Sequence, residues 1–171
     1  KLLISELIVQ ETENNRRKKF ESRFAVVQQA LPAIGRYNSD EPPYDLTRLE
    51  EPYDLKQLLS SNLHSSHMDY FGYDEIPQSV VVKRALIPLR PFREEEKGYR
   101  DTLIWRSFLK YLADHKIKDD VIFINANSSD FYDKKKDAFH PDLAKDIEDD
   151  AITCRILIYN SLAEFVTANI D

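Results

Sequence analysis

Lys97-Gly-Tyr-Arg-Asp-Thr-Leu-Ile-Trp105 and, further along, Val121-Ile-Phe-Ile-Asn-Ala-Asn-Ser-Ser-Asp-Phe131 decide how this chain is read. The first stretch leads into a helix over 101–115, with Ile104, Trp105, Phe108, Leu109 and Leu112 on one apolar face. The second begins with a short apolar run over 121–124, the pattern of a strand buried on both faces. A polar loop follows from Asn125 to Lys136. In open parallel sheets, ligands bind beyond the carboxyl ends of the strands. Asp130 therefore belongs at that edge, and Asp101 heads a helix whose N-terminus approaches the same edge. Two carboxylates delivered to one sheet edge are the makings of a divalent-metal site.

Outward from these stretches, helical and strand patterns alternate. Residues 1–5 read as the end of a strand, with Ser5 as N-cap of a long helix to about Leu31. Ile4, Leu7 and Ile8 set a helical stripe, and Glu11 falls on it at i+4 from Leu7 and i+3 from Ile8. A polar run from Asn14 to Lys19 precedes Phe20, Phe24, Val26, Val27, Ala30 and Leu31, and Pro32 and Gly35 close the segment. Residues 36–78 read as a helical insertion punctuated by Pro42, Pro43, Pro52 and Pro77. Its near-repeat, 41–46 and 51–55, reads as two helix starts capped by Asp. Residues 80–89 are helical or irregular, and Arg93-Glu-Glu-Glu-Lys97 is a solvated loop. His140-Pro141-Asp142 opens a short helix to about Ile147, with His140 capping or packing against it. Ile152–Tyr159 is a second buried strand, and Leu162–Ala168 a terminal helix. The expectation is an α/β fold, a mostly parallel sheet flanked by helices, in one domain over 1–171.

Composition narrows the classes. With 171 residues, 42% hydrophobic and 32% charged, the chain can bury a core and is neither disordered nor membrane-spanning by any apolar run. Lys1-Leu-Leu-Ile-Ser5 is no secretory signal and lacks an initiator Met, so the true N-terminus is expected upstream. The single Cys154 sits in an apolar run, excludes an internal disulfide and fits a buried residue of a reducing, cytoplasmic compartment. A net charge of −6 argues against a broad nucleic-acid-coating surface but suits acids gathered at a metal. Three glycines leave no Gly-rich phosphate loop.

Each acid has a plain reading beside the functional one. Asp101 reads first as a helix N-cap, then as a ligand. Asp130 is equally an Asx-turn residue. Glu11 pairs with a neighbouring Arg, sits at the edge of the stripe or binds something, because Glu on an apolar stripe is rarely buried alone. Together they would repel unless a cation neutralised them, and Mg²⁺ or Mn²⁺ suits all-oxygen ligands. Such an ion activates water and offsets charge on a phosphoryl group under attack. Lys97 and Arg100 are well placed for a substrate phosphate beside Asp101. Arg16 and Arg17 read first as a solvated helix face and second as contacts to a nucleic-acid backbone. Lys134–Lys136 is a plain loop, and His64 and His67 are exposed residues of the insertion. Tyr99 is structural or stacks on a base, and Trp105 is core.

Taken in order, these segments resemble the PIN-domain nucleases, in particular a larger PIN-like subfamily formerly of unknown function. Ile4-Ser-Glu-Leu-Ile-Val-Gln-Glu11 looks like that family's second strand and following helix. Lys97–Trp105 looks like its Lys-Gly-x-x-Asp-x-Leu-Ile-Trp signature. Residues 121–131 resemble its strand and the following turn that ends in Asp-Phe, and Phe139-His-Pro-Asp-Leu143 its His-Pro-Asp/Glu-Leu segment. The resemblance implies a Rossmann-like fold and a Mg²⁺- or Mn²⁺-dependent endoribonuclease. Glu11, Asp101 and Asp130 would be its acids, and Ser128 would ligate the ion or orient a water. The family's opening strand, with Asp-Thr-Asn, has no counterpart in residues 1–171. Where many members read Thr-x-Asp-x-Asp-Phe, this chain has Ala126, Ser128 and Asp130. These departures suit two rivals: a degenerate PIN-like module that binds another protein or its own copy, and a nuclease that works only inside a larger defence or toxin assembly.

Overall fold

Apolar spacing and capping chemistry place most of the elements along this chain, and tertiary contacts decide which faces they bury. The computed structural model describes residues 1–36, 53–63, 67–93, 97–133, 135 and 137–169. It separates after Tyr70 into two units, 1–70 and 71–171.

The first unit holds β1 (Leu2–Ser5), α1 (Glu6–Gly35), α2 (Leu55–Asn62) and β2, whose span Met68–Phe71 reaches the boundary. β1 and β2 are neighbours in a two-stranded sheet, and Lys1 reaches Asp69 at 3.0 Å. Ser5 is the N-cap of α1, in extended backbone, but its hydroxyl makes no capping bond. The helix runs through Pro32 to Gly35, beyond the expected end at Leu31. Its buried side also differs from the expected stripe: Val9 is buried at 2% exposure, whereas Ile8 is 43% exposed. The reason lies in α2. Glu13 accepts a hydrogen bond from the Leu55 amide at 2.9 Å, and Glu6 pairs with Lys56 at 2.9 Å. The packed side is thus Glu6, Val9, Gln10 and Glu13, at helical spacing, around a cavity of about 350 Å³.

Asp54 caps α2 as its Asp-Leu sequence predicts, accepting from the Gln57 amide at 2.8 Å. The twin start at 41–46 lies outside the described residues. β2 corrects the purely helical reading of 36–78: Met-Asp-Tyr-Phe pairs with β1 as a strand. A four-residue strand is too short to carry a period in the sequence.

The second unit comprises α3 (Gln78–Leu86), α4 (Tyr99–Asp114), β3 (Val121–Ile124), α5 (Ser128–Phe131), α6 (Pro141–Asp149), β4 (Ile156–Tyr159) and α7 (Leu162–Asn169). β3 and β4 run parallel, with Val121 opposite Ile156 and Ile124 opposite Tyr159. The parallel pairing needs a crossover, and α5 and α6 lie in it. β4 starts at Ile156, four residues later than its apolar run.

Aromatic packing defines this unit's core. Trp105 is fully buried and lies 5.9 Å from Phe123, 6.1 Å from Phe131 and 5.1 Å from Phe139 between ring centroids. Phe108 adds a contact to Phe123 at 5.1 Å. Such pairs contribute roughly 0.5–1.5 kcal/mol each beyond the area they bury. β3 meets α4 through Phe123 only on one face. Ile122 and Ile124 point away and are 41% and 40% exposed, so the expected burial on both faces does not hold among the described residues. A run of four apolar residues cannot say which of its two faces finds a cover.

No described helix is long and apolar enough to cross a membrane.

Candidate functional site beyond β3

Gly98 sets the head of α4. Its φ of +111° suits glycine, and a Cβ there would lie 2.3 Å from the Pro91 carbonyl oxygen. The glycine therefore lets the helix start lie directly against the Pro91–Phe92 backbone. Gly98, not Asp101, is the N-cap residue. Asp101 stands in the first turn, half-buried, so the capping reading of Asp101 is corrected. Its Oδ2 accepts a hydrogen bond from Asn127 Nδ2 at 3.2 Å.

Asn127 organises the bend after β3. Its amide donates to Asn125 Oδ1 at 2.8 Å, and its own Oδ1 accepts from the Ser129 hydroxyl at 3.2 Å. The residues that follow form the short helix α5 in place of the expected loop. Ser128 opens it, half-buried, with its carbonyl accepting from the Tyr132 amide at 3.0 Å. Asp130 is buried in it, at 8% exposure.

A carboxylate so buried needs partners, and Asp130 has two. Arg90 Nη1 donates to its Oδ1 at 2.9 Å, and Arg93 Nε donates to the same oxygen. Arg93 also reaches the Ser129 hydroxyl. Asp101, Asn127, Ser129, Arg93, Asp130 and Arg90 thus form one continuous hydrogen-bonded chain. Arg93 and Lys97 are exposed, as the solvated reading of 93–97 has it, but Arg93 also holds a buried acid. Its side chain is 41% exposed yet paired, and its amide donates to the Lys97 carbonyl at 2.8 Å.

Arg90 is held on both sides of its backbone. Its amide donates to Asp142 Oδ2 at 2.8 Å, and its carbonyl accepts from Arg84 Nε at 2.7 Å. Arg84, with 7% of its side chain exposed, pairs with Asp146 at 2.7 Å, and the Trp105 indole donates to Asp146 at 2.8 Å. His140 caps α6 as anticipated, its ring accepting from the Asp142 amide at 3.3 Å. The Tyr132 hydroxyl lies 3.3 Å from both the Asn125 and Tyr159 carbonyls, at the ends of β3 and β4. Burial pushes its pKa up to about 12. Burial also pushes the pKa of the Cys154 thiol up, which favours its protonated form.

Of the residues expected at the site, the second unit links Asp101 to Asp130 through Asn127, Ser129 and Arg93, and Ser128 opens the short helix that carries Asp130. Lys97 and Arg100 are exposed at the head of α4. Glu11 is half-buried on α1 of the first unit. Arg16, on the same helix, lies 3.5 Å over the Tyr53 ring, and Arg17 donates to Asn14 at 3.0 Å. Arg90, Arg93, Asn125, Asn127 and Ser129 were not anticipated as site residues. Their partners lie far off in sequence or in a loop without periodicity.

The donors of Asp101, Asp130 and Ser128 are all hard oxygens, which suits Mg²⁺ or Mn²⁺ by chemistry. Among the described residues no three His, Cys, Asp or Glu are gathered as a ready metal cage. A family model described as a PIN domain matches residues 1–131. No curated protein and no solved structure matches the chain.

Proposed function

The chain belongs to the PIN-domain family, and from that membership we propose that it is a metal-dependent endoribonuclease that hydrolyses RNA phosphodiester bonds. The observation carrying this reading is the link from Asp101 through Asn127 to the Asp130 cluster, just beyond the carboxyl end of β3. Ligand sites in parallel α/β folds belong at that end of the strands.

In this reading Asp101 and Asp130 hold the divalent ion, with Ser128 ligating it or orienting a water. A bound Mg²⁺ or Mn²⁺ supplies an activated water and a positive charge opposite the developing phosphoryl charge. Asn127 fixes the rotamer of Asp101 by donating to Oδ2. Lys97 and Arg100, exposed at the head of α4, hold the RNA backbone by charge. Arg16 and Arg17, on α1 of the first unit, are proposed as further backbone contacts, and Glu11 enters as the third acid by family resemblance.

Asp101→Asn tests the proposal. RNA cleavage in Mg²⁺ or Mn²⁺ is expected to vanish while urea unfolding stays within about 1 kcal/mol of wild type, because Asp101 is only half-buried. Cleavage that survives this substitution refutes the assignment. One observation favours a non-catalytic interaction module instead: Asp130 already carries two guanidinium partners. An Asp101→Asn protein that still binds its partner, beside a wild type that never cleaves, would establish that second reading.

A further inference from the structure

We propose that Arg93 is an exchangeable counter-charge, which holds Asp130 away from the metal until a phosphodiester draws it off, so that metal and nucleic-acid backbone bind cooperatively. This rests on the nuclease reading of the site and adds its regulation. Asp130 brings one negative charge, and Arg90 and Arg93 bring two positive ones to it. A carboxylate compensated in this way exerts little pull on a divalent ion. Both guanidiniums sit on Asp130 Oδ1, the charge a cation would need.

The two arginines are not equivalent. Arg90 is anchored through its amide to Asp142 and through its carbonyl to Arg84. Arg93 is the more exposed, 41% against 31% for Arg90, and among the described residues its side chain also reaches the Ser129 hydroxyl. A counter-charge whose own side chain is open to water is cheaper to exchange than one whose backbone is braced by a buried network. Guanidinium binds phosphate in the same planar fork that it offers to carboxylate. Arg93 leads by one backbone hydrogen bond to Lys97, a proposed phosphate contact. A phosphodiester engaging Arg93 would take one of the two counter-charges off Asp130, and the cation would then be favoured. Linkage makes this reciprocal: bound metal tightens the phosphodiester by the same factor.

The test is calorimetric titration of Mn²⁺ alone into the full chain as wild type, Arg93→Gln and Arg155→Gln. Each titration is repeated with an oligonucleotide of phosphorothioate linkages. Arg155 is 72% exposed and 4.0 Å from Asp120, so its variant removes one positive charge away from the cluster. Arg93→Gln is expected to bind Mn²⁺ roughly tenfold or more tightly than wild type, within the usual range of site coupling. The oligonucleotide should tighten Mn²⁺ in wild type and leave Arg93→Gln unchanged. Circular dichroism checks that each variant is folded. The inference is overturned if Arg93→Gln binds Mn²⁺ no better than wild type, if neither binds it, or if Arg155→Gln gives the same gain. Failure of the nuclease reading is separate: Mn²⁺ would bind in the expected order, yet no variant would cleave RNA.

Discussion

Replacing Gly98 by Ala should damage the second unit far more than any surface change of one methyl group. Two penalties add. An L-residue at φ +111° leaves its favoured regions, which costs on the order of 1–3 kcal/mol. The new Cβ would also meet the Pro91 carbonyl oxygen at 2.3 Å, and Phe92 Cα and the Pro91 carbonyl carbon at 2.8 Å each. All three are backbone atoms, so no rotamer change relieves the overlap. Either α4 or the Pro91–Phe92 segment must move, and Phe92 is 3% exposed in the core. Strain of this kind adds roughly 1–3 kcal/mol. The expected loss is about 3 kcal/mol or more, a drop in melting temperature of roughly 6–12 °C for a chain of this size. Urea unfolding followed by circular dichroism measures it. Gly35→Ala is the matched control, because its Cβ would have nothing within 4 Å and the residue ends a helix. That variant should equal or exceed wild type, by up to about 1 kcal/mol. A Gly98→Ala protein within about 1 kcal/mol of wild type would refute the close-approach explanation of the glycine. The Pro91–Phe92 segment sits between Arg90 and Arg93, so the variant should also weaken their hold on Asp130.

Asp146→Ala strands the Arg84 cation, whose side chain is 7% exposed, and removes the acceptor of the Trp105 indole. Breaking such a pair should cost about 3–5 kcal/mol in denaturant unfolding, and a loss below about 1 kcal/mol would show that water reaches Arg84 readily. Tyr132 gives a pH dependence. Its phenol is raised from 10.0 to about 12 by burial, so the folded state keeps the proton that the unfolded state loses first. Its contribution is fully present below pH 10 and is lost as pH rises from there to about 12. Tyr132→Phe should flatten that alkaline decline in thermal melts, at a cost near 1 kcal/mol at neutral pH from the lost hydrogen bond. An unchanged decline would assign it to other groups.

Long periodic segments and capping residues were legible in the sequence. The apolar spacing of 104–112 marked α4, and Asp54 and His140 announced their helix starts. The Lys-Gly-x-x-Asp-x-Leu-Ile-Trp stretch carried both family and core, since Gly98 permits a backbone approach and Trp105 fills the centre. The partners of the acids were not legible. Arg90 and Arg93 look like ordinary loop residues until tertiary structure brings them to Asp130. Nor did Asp101 reveal its role by position, since a cap and a first-turn acid differ by the φ of a neighbouring glycine. The one-faced burial of β3 and the strand at Met68–Phe71 likewise depend on neighbours supplied by distant parts of the chain.

The polar chain beyond β3 joins residues that are far apart in the order of synthesis. Asp130 lies 40 residues after Arg90 and 37 after Arg93, and Asn127 lies 26 after Asp101. Arg84 must wait a further stretch, since Asp146 follows it by 62 residues. None of these bonds can form as a local turn, and each requires a large loop to close first. On a growing polypeptide the acids remain separate at least until Asn127 and Asp130 have been made. Asp130 lies in the β3–β4 crossover, so cluster and crossover should form and melt together. Slow hydrogen exchange at the Asp130 amide should report the opening of the whole second unit rather than fraying of the short helix that carries it.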